Sequence, residues 1–326
     1  MSTTDSDVLV LRAKAHGIQS AACAEALRER CPDHDVRLAR TPAEERDMIQ
    51  HTSVATGLSI DPDLLSRAEH LRLFACASAG VGHLPTEALE AHDVAVTNAS
   101  GVHGPNMAEQ VLASILVFAR RLHEGWRRQG RAEWRHFQSG ELNGSTVTVV
   151  GLGPIGEAIV ARLEPFDVET IGVRYTPDKG GPTDEVIGYD EAALHDAFAR
   201  TDYLVLACPQ TETTWNLVDS AVFQTLPSDA VLVNVARGSV VDTDALVTAI
   251  RKNQIDGAAL DVTDPEPLPA DHPLWTFGNV LITPHNSGYT AKYWERHADI
   301  LARNLRTIEE SGSYANLENQ VLAPTA

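Results

Sequence analysis

At 326 residues, 43% of them apolar, the chain is longer than one hydrophobic core usually serves, so two domains are expected. Its apolar runs, such as Val147-Thr148-Val149-Val150, fall far short of the roughly 20 residues that a membrane span needs. Forty-five acidic against 26 basic residues give a net charge of -19, which repels nucleic acid phosphates.

Short apolar segments alternate with helical ones along nearly the whole chain, the pattern of parallel α/β sheets. The Met1–Asp7 start is acidic and polar, without the basic and apolar pattern of a secretion signal, so a cytoplasmic protein is expected. Strands are predicted at Val8–Leu11, Asp35–Leu38, Thr52–Ala55, Leu71–Ala75 and Val94–Thr97, with helices at Ser20–Arg30 and Leu84–Ala91 among them. A long apolar helix follows over 105–122; Pro105 suits its first position, and its apolar circumference predicts burial. The stretch 124–142 is of another kind. Trp126, Trp134, Phe137 and several arginines suit either an arm on a second subunit or a surface loop anchored by its own tryptophans. Six strands then follow: Thr146–Val150, Val168–Val173, Tyr203–Ala207, Ala230–Asn234, Gly257–Leu260 and Val280–Thr283. They form a full dinucleotide-binding series. The final helix carries Trp294, Ala298, Leu301, Leu305 and Ile308 on one face and is expected to return to the first domain.

Gly151-Leu152-Gly153-Pro154-Ile155-Gly156 is a G-x-G-x-x-G turn between a strand and a helix. Gly151 allows the tight turn, Gly153 lets backbone approach a pyrophosphate, and Gly156 lets the helix pack on the strand. The helix N-terminus offers free N–H groups to phosphates. About 20 residues on, where an acid normally takes the ribose hydroxyls of NAD, stand Arg174, Tyr175 and Thr176. Arginine there suits the 2′-phosphate of NADP; if it only stacks on adenine, NAD is usable too.

Three later segments follow strands four, five and six of this series: Asn234–Asp242, Leu260–Leu268 and Thr283–Gly288. Ligands of open α/β sheets bind at the carboxyl ends of strands, which directs attention to Arg237, Glu266 and His285. With Cys208-Pro209-Gln210-Thr211-Glu212-Thr213-Thr214 and Ala79-Gly80-Val81-Gly82-His83, these segments resemble the D-isomer-specific 2-hydroxyacid dehydrogenase family. The likeness runs from about Val54 to Thr290 and is closest to the glyoxylate/hydroxypyruvate reductase-like branch. It implies two doubly wound domains: a flavodoxin-like substrate domain (1–100 with 289–326) and a Rossmann domain (101–288).

The resemblance further implies that His285 exchanges a proton with the keto oxygen, that Glu266 fixes its tautomer, and that Arg237 grips the substrate carboxylate. Leu58, Gly80, Val81 and Gly82 would complete the substrate site. Cys208, Pro209, Thr214, Val235, Ala236 and Ser287 would join the cofactor contacts, and Asp261 would orient the nicotinamide amide. Among the other histidines, His103 alone is a candidate to touch cofactor. Formate dehydrogenases of the superfamily carry glutamine where Glu266 stands, so the acid favours 2-hydroxyacid chemistry. A homodimer through the arm and the long helix is expected. The alternatives are phosphoglycerate dehydrogenase and a dinucleotide-sensing corepressor-like protein. No metal is implied: the thirteen histidines form no His-x-x-x-His pair, and the four cysteines read as buried thiols. Acid excess with only four lysines resembles proteins of salt-accumulating cells.

Overall fold

The computed structural model describes residues 8–324, so the Met1–Asp7 start lies outside the described residues. The chain divides into two units, one running through His103 and resuming at Tyr289, the other Gly104–Gly288. Each is built on its own largely parallel sheet, as the alternating strands and helices require.

The first unit opens with β1 (Val8–Val10), β2 (Lys14–Ala15), β3 (Ile18–Gln19), α1 (Ala21–Arg30), β4 (Val36–Leu38) and α2 (Pro42–Met48). It continues with β5 (Val54–Gly57), α3 (Pro62–Leu65), β6 (Leu73–Cys76), α4 (Thr86–Ala91) and β7 (Ala95–Thr97). The second unit begins with α5 (Gly104–Ala119), α6 (Leu122–Gly130), β8 (Thr146–Val150), α7 (Pro154–Leu163), β9 (Glu169–Val173) and β10 (Glu185–Ile187). Then come α8 (Glu191–Phe198), β11 (Tyr203–Leu206), α9 (Ser220–Thr225), β12 (Val231–Asn234), α10 (Thr243–Arg251), β13 (Gly257–Leu260) and β14 (Val280–Ile282). The chain ends in the first unit with α11 (Tyr293–Ser311) and β15 (Gln320–Leu322).

The first sheet has the order β15-β7-β6-β5-β1-β4, with β15 antiparallel on β7. Its central strands are buried along their whole length, as parallel strands covered on both faces must be. One face is covered by α1 and α11, where Cys23, Leu27, Trp294, Ala298, Leu301 and Leu305 share one core with Val8 and Val10. The other packs Leu9, Phe74 and Val96 against Leu64, Leu65 and Leu89 of α3 and α4.

The second sheet is parallel throughout, in the order β10-β9-β8-β11-β12-β13-β14. It has seven strands where six were expected; β10 is short, half-buried and carries Glu185, which hides it from an apolar pattern. The long helix is also shorter than 105–122. It stops at Ala119, the left-handed Arg121 (φ 51°) prevents continuation, and α6 begins afresh. Helix α5 packs on α7 and the sheet through Met107, Val111, Ile115 and Phe118. Beyond α6 the stretch 131–141 is irregular. Its tryptophans do not anchor it: Trp134 is fully exposed and Trp126 mostly so. Arg128 does, bonding the carbonyls of Arg135 and His136 and lying 4.8 Å from the Phe137 ring centre.

Candidate active site and dinucleotide cleft

The strand β8 is wholly buried and ends at Gly151, whose φ of 103° only glycine adopts readily. A β-carbon there would lie 2.7 Å from Cys208 Cα, and one on Gly156 would lie 2.0 Å from the Gly151 carbonyl oxygen. Gly153 differs, because a β-carbon there meets nothing within 4 Å. It is the N-cap of α7 and supplies no side-chain cap, so the first turn presents N–H groups to open space, as a phosphate site needs. Beside it runs a cleft of about 300 Å³. Gly151, Gly153, Arg174, Tyr175, Thr176, Pro209 and Thr214, all expected at the cofactor, line it together. Ile155 and Gly156 form the first turn of α7, and Cys208 backs Gly151. Val235 and Ala236 are buried at the end of β12 and do not line this cleft. The Arg174 guanidinium is tied back to the carbonyl of Gly180, which folds the 177–180 turn toward it. That turn brings Lys179 into the same cleft, with Tyr189, Thr211 and Thr213, none of them among the expected cofactor contacts. The four described carboxylate-free positions after β9, Arg174 to Pro177, leave no acid at the strand end to take ribose hydroxyls.

The strands β12, β13 and β14 are neighbours in parallel register, so the loops carrying Arg237, Glu266 and His285 leave the same edge. His285 Nδ1 lies 2.6 Å from Glu266 Oε1, and both side chains are nearly half exposed. An ionised carboxylate only accepts, so Nδ1–H donates to it and Nε2 is left for proton exchange. The backbone of His285 is left-handed (φ 51°), and its N–H donates to the carbonyl of Asp261 at 2.7 Å. The buried Asp261 carboxylate accepts from Thr283 Oγ1 (2.5 Å), Asn286 N (2.8 Å) and Ser287 N (2.9 Å). Burial is the largest single influence on that carboxyl and pushes its pKa up. The hydrogen bonds from Ser287, Thr283 and Asn286 together outweigh it and hold the pKa below the usual value.

Arg237 is exposed, and among the described residues its side chain bonds only the neighbouring Ala236 carbonyl, at 2.6 Å. Its turn is shaped by Asn234, which donates to the Arg237 carbonyl and accepts from Ala236 N. It is also pressed against the β13 loop, where a β-carbon on Gly238 would lie 2.0 Å from the Thr263 carbonyl. A second cleft of about 340 Å³ borders the dyad, lined by Glu266 and His285 with Leu268, Trp275 and Ile282.

Residues 112–287 match the model of the D-isomer specific 2-hydroxyacid dehydrogenase NAD binding domain. A glyoxylate reductase of Thermofilum pendens is 34% identical over 253 residues, which cover 76% of this chain and 74% of that protein. The chain belongs to the D-isomer-specific 2-hydroxyacid dehydrogenase family. As a member it is an NAD(P)-linked oxidoreductase. A glyoxylate reductase/hydroxypyruvate reductase of Mus musculus is 33% identical over 81% of this chain and 84% of its own length. Among solved structures, a family member from Xanthobacter autotrophicus Py2, in complex with NADPH and MES, superposes with a TM-score of 0.76. It is 28% identical and covers 97% of this chain and 98% of its own.

Two expected cofactor contacts in this dehydrogenase are turned inward. Asp261 spends its carboxylate on the loop of His285. Ser287 is buried, with its N–H on Asp261 and its carbonyl accepting from Asn106 Nδ2 at 2.6 Å. In the first unit, Leu58 follows β5 half-buried, and its carbonyl is 2.7 Å from His83 Nε2. Gly80 and Gly82, after β6, are exposed, with open space where β-carbons would stand, and Val81 between them is half-buried. His103 lies against His16 and Tyr293, ring centres 5.4 Å from each. Among the described residues no group of His, Cys, Asp and Glu could hold a metal, and no helix is long and apolar enough to cross a membrane. All four cysteines are free and buried, and burial pushes the Cys23 thiol up to about 12 and the Cys208 thiol up to about 11.

Proposed function

We propose that this dehydrogenase reduces a 2-keto acid to the D-2-hydroxy acid with NADPH, reversibly, with the first unit receiving substrate and the second holding cofactor. The observation that carries this reading is the His285–Glu266 pair at the end of β14. Glu266 holds the Nδ1 proton, so His285 delivers its other proton from Nε2 to the keto oxygen in reduction and recovers it in oxidation. Arg237, exposed and bonded to the Ala236 carbonyl, receives the substrate carboxylate and draws charge from the ketone. The amides of Gly80–Gly82 form a second carboxylate cradle. The bound nicotinamide supplies or accepts the hydride. Asp261 acts earlier in the chain of causes, fixing the loop from which His285 projects.

NADP is preferred because Arg174 and Lys179 line the cleft at the end of β9 and no Asp or Glu lines it with them; the NADPH in the Xanthobacter structure supports this. The exposed Trp126, Trp134 and Phe137 support a homodimer through the arm and α5. Sedimentation should then give twice the mass of the chain. The charge of -19 with four lysines supports a salt requirement, read as stability that rises with KCl.

Initial rates of NADPH and NADH oxidation in molar KCl, across glyoxylate, pyruvate, hydroxypyruvate and larger 2-keto acids, test the proposal. Turnover with kcat/KM at least about tenfold higher for NADPH is expected, the scale of one charge-assisted contact. Cofactor binding without turnover of any 2-keto acid would overturn it in favour of a dinucleotide sensor.

A further inference from the structure

The first unit's sheet reverses its winding between β1 and β5: from β1 the chain goes out to β4, and from β5 it runs the other way through β6 and β7. At such a switch point the loops after the two strands part to opposite faces and leave a crevice at the carboxyl edge, the place where open α/β sheets bind ligands. Here the loop after β5 carries Leu58. The loop after β1 is the hairpin β2–β3, paired Lys14 with Gln19 and Ala15 with Ile18. Its tip is His16 at φ 51° followed by Gly17 at φ 80°. Two consecutive positive φ values are the mark of the tight hairpin turn in which Asn and Gly are the easy residues, so histidine is held there against its own preference.

The ring of His16 is fixed on several sides. Its Nδ1 accepts from Thr290 N at 3.2 Å, which puts the ring proton on Nε2. It stacks on Tyr289, with ring centres 4.7 Å apart and planes 20° apart, and meets Tyr293 edge-on at 4.5 Å. Tyr293 is buried and donates its hydroxyl to the Ala77 carbonyl at the end of β6, so the back of the cluster is rigid. The front is open: Tyr289 is 58% exposed, and Nε2–H of His16 has no partner among the described residues. Burial lowers the pKa of His16, though the Thr290 contact opposes this, and a neutral ring keeps its π face.

We propose that His16 and Tyr289, backed by Tyr293 and His103, form the wall that receives the substrate side chain and selects 2-keto acids bearing an aromatic ring. The inference rests on the reading of this enzyme as a 2-keto acid reductase whose substrate carboxylate lies at Gly80–Gly82. The β6 and β1 ends are separated by β5, two strand spacings or roughly 10 Å. A carboxylate held after β6 therefore directs an aryl side chain toward the β1 hairpin. There an aromatic substrate ring can pack on Tyr289 in the offset or edge-on geometry that aromatic pairs favour, and Nε2–H can meet its π face or a ring hydroxyl. Glyoxylate, with no side chain, gains nothing from this wall.

The test is the ratio of kcat/KM for phenylpyruvate to that for glyoxylate, measured on the full chain and on His16→Asn and Tyr289→Leu. Asparagine tolerates the left-handed turn, so His16→Asn removes the ring and keeps the hairpin; Tyr289→Leu attacks the wall without touching the turn. The wild-type ratio is expected to exceed one, and each variant should lower it about tenfold, the scale of a lost aromatic contact. A ratio unmoved in both variants, with both substrates falling together, would mean a purely structural cluster and overturn the inference. A wild type that reduces glyoxylate but rejects phenylpyruvate would overturn it too, while leaving the keto acid reductase reading in place. If neither substrate nor pyruvate is turned over, the underlying reading fails and the inference with it.

Discussion

His285 and His297 are the same side chain in opposite settings. His285 stands at the open end of β14 on a left-handed backbone, with a carboxylate on one ring nitrogen and space at the other. His297 lies within α11, buried, with Nε2 2.7 Å from Thr56 Oγ1 and no partner for Nδ1 among the described residues. Thr56 donates to the Ala75 carbonyl, so it accepts from Nε2–H, and the bare Nδ1 is an acceptor without a donor. Burial holds the pKa of His297 down at about 4. A proton carrier needs access and a charged partner, and His297 has neither; it is a piece of the core.

Five substitutions break or sharpen this contrast. The largest expected effect is on His285→Ala, which should keep bound cofactor and lose about 10²- to 10⁴-fold in kcat, the usual worth of a positioned general acid; steady-state rates at saturating NADPH check it. His297 should act on stability instead. Its folded pKa is depressed, so its contribution is complete above about pH 6.5 and is lost as pH falls toward 4. Removing it in His297→Leu should flatten the loss of unfolding free energy over that window by roughly 3 kcal/mol, the value of a shift of this size. Denaturant titrations of both proteins at pH 7 and pH 4.5 would reveal it, and parallel pH curves would contradict it.

Glu266→Gln sharpens the role of charge. An amide oxygen can still accept the Nδ1 proton, so only the ionic part of the bond is lost, and kcat should fall about tenfold. A loss as deep as that of His285→Ala would instead point to a collapsed loop. The smallest effect is one of discrimination. Arg174→Asp should weaken NADPH about tenfold more than NADH, and Lys179→Ala should do the same to a lesser degree. Equal changes in the two dissociation constants would remove both residues from 2′-phosphate recognition.

The features legible in sequence were those that sterics or burial force. Strand β8, the glycine turn and α7 could be read because a buried parallel strand must be an apolar run and because Gly151 and Gly156 have backbone where a β-carbon would go. The order of the three carboxyl-edge loops followed from the same alternation. What stayed hidden depends on distant donors or on short, mixed segments. Nothing near Asp261 in sequence shows that three groups from the 283–287 loop converge on its carboxylate. Lys179 reaches the cleft because the Pro177–Gly180 turn doubles back beside Arg174, and no periodicity encodes that. Strands β2, β3, β10 and β15, of two or three residues each, are too short for an apolar period to show.

Whether His285 carries the proton is decided by kcat with NADPH and a 2-keto acid for His285→Ala and His297→Leu, measured side by side at pH 7. A loss of at least about 100-fold is expected in the first and a rate close to wild type in the second. Comparable rates in the two variants would contradict it.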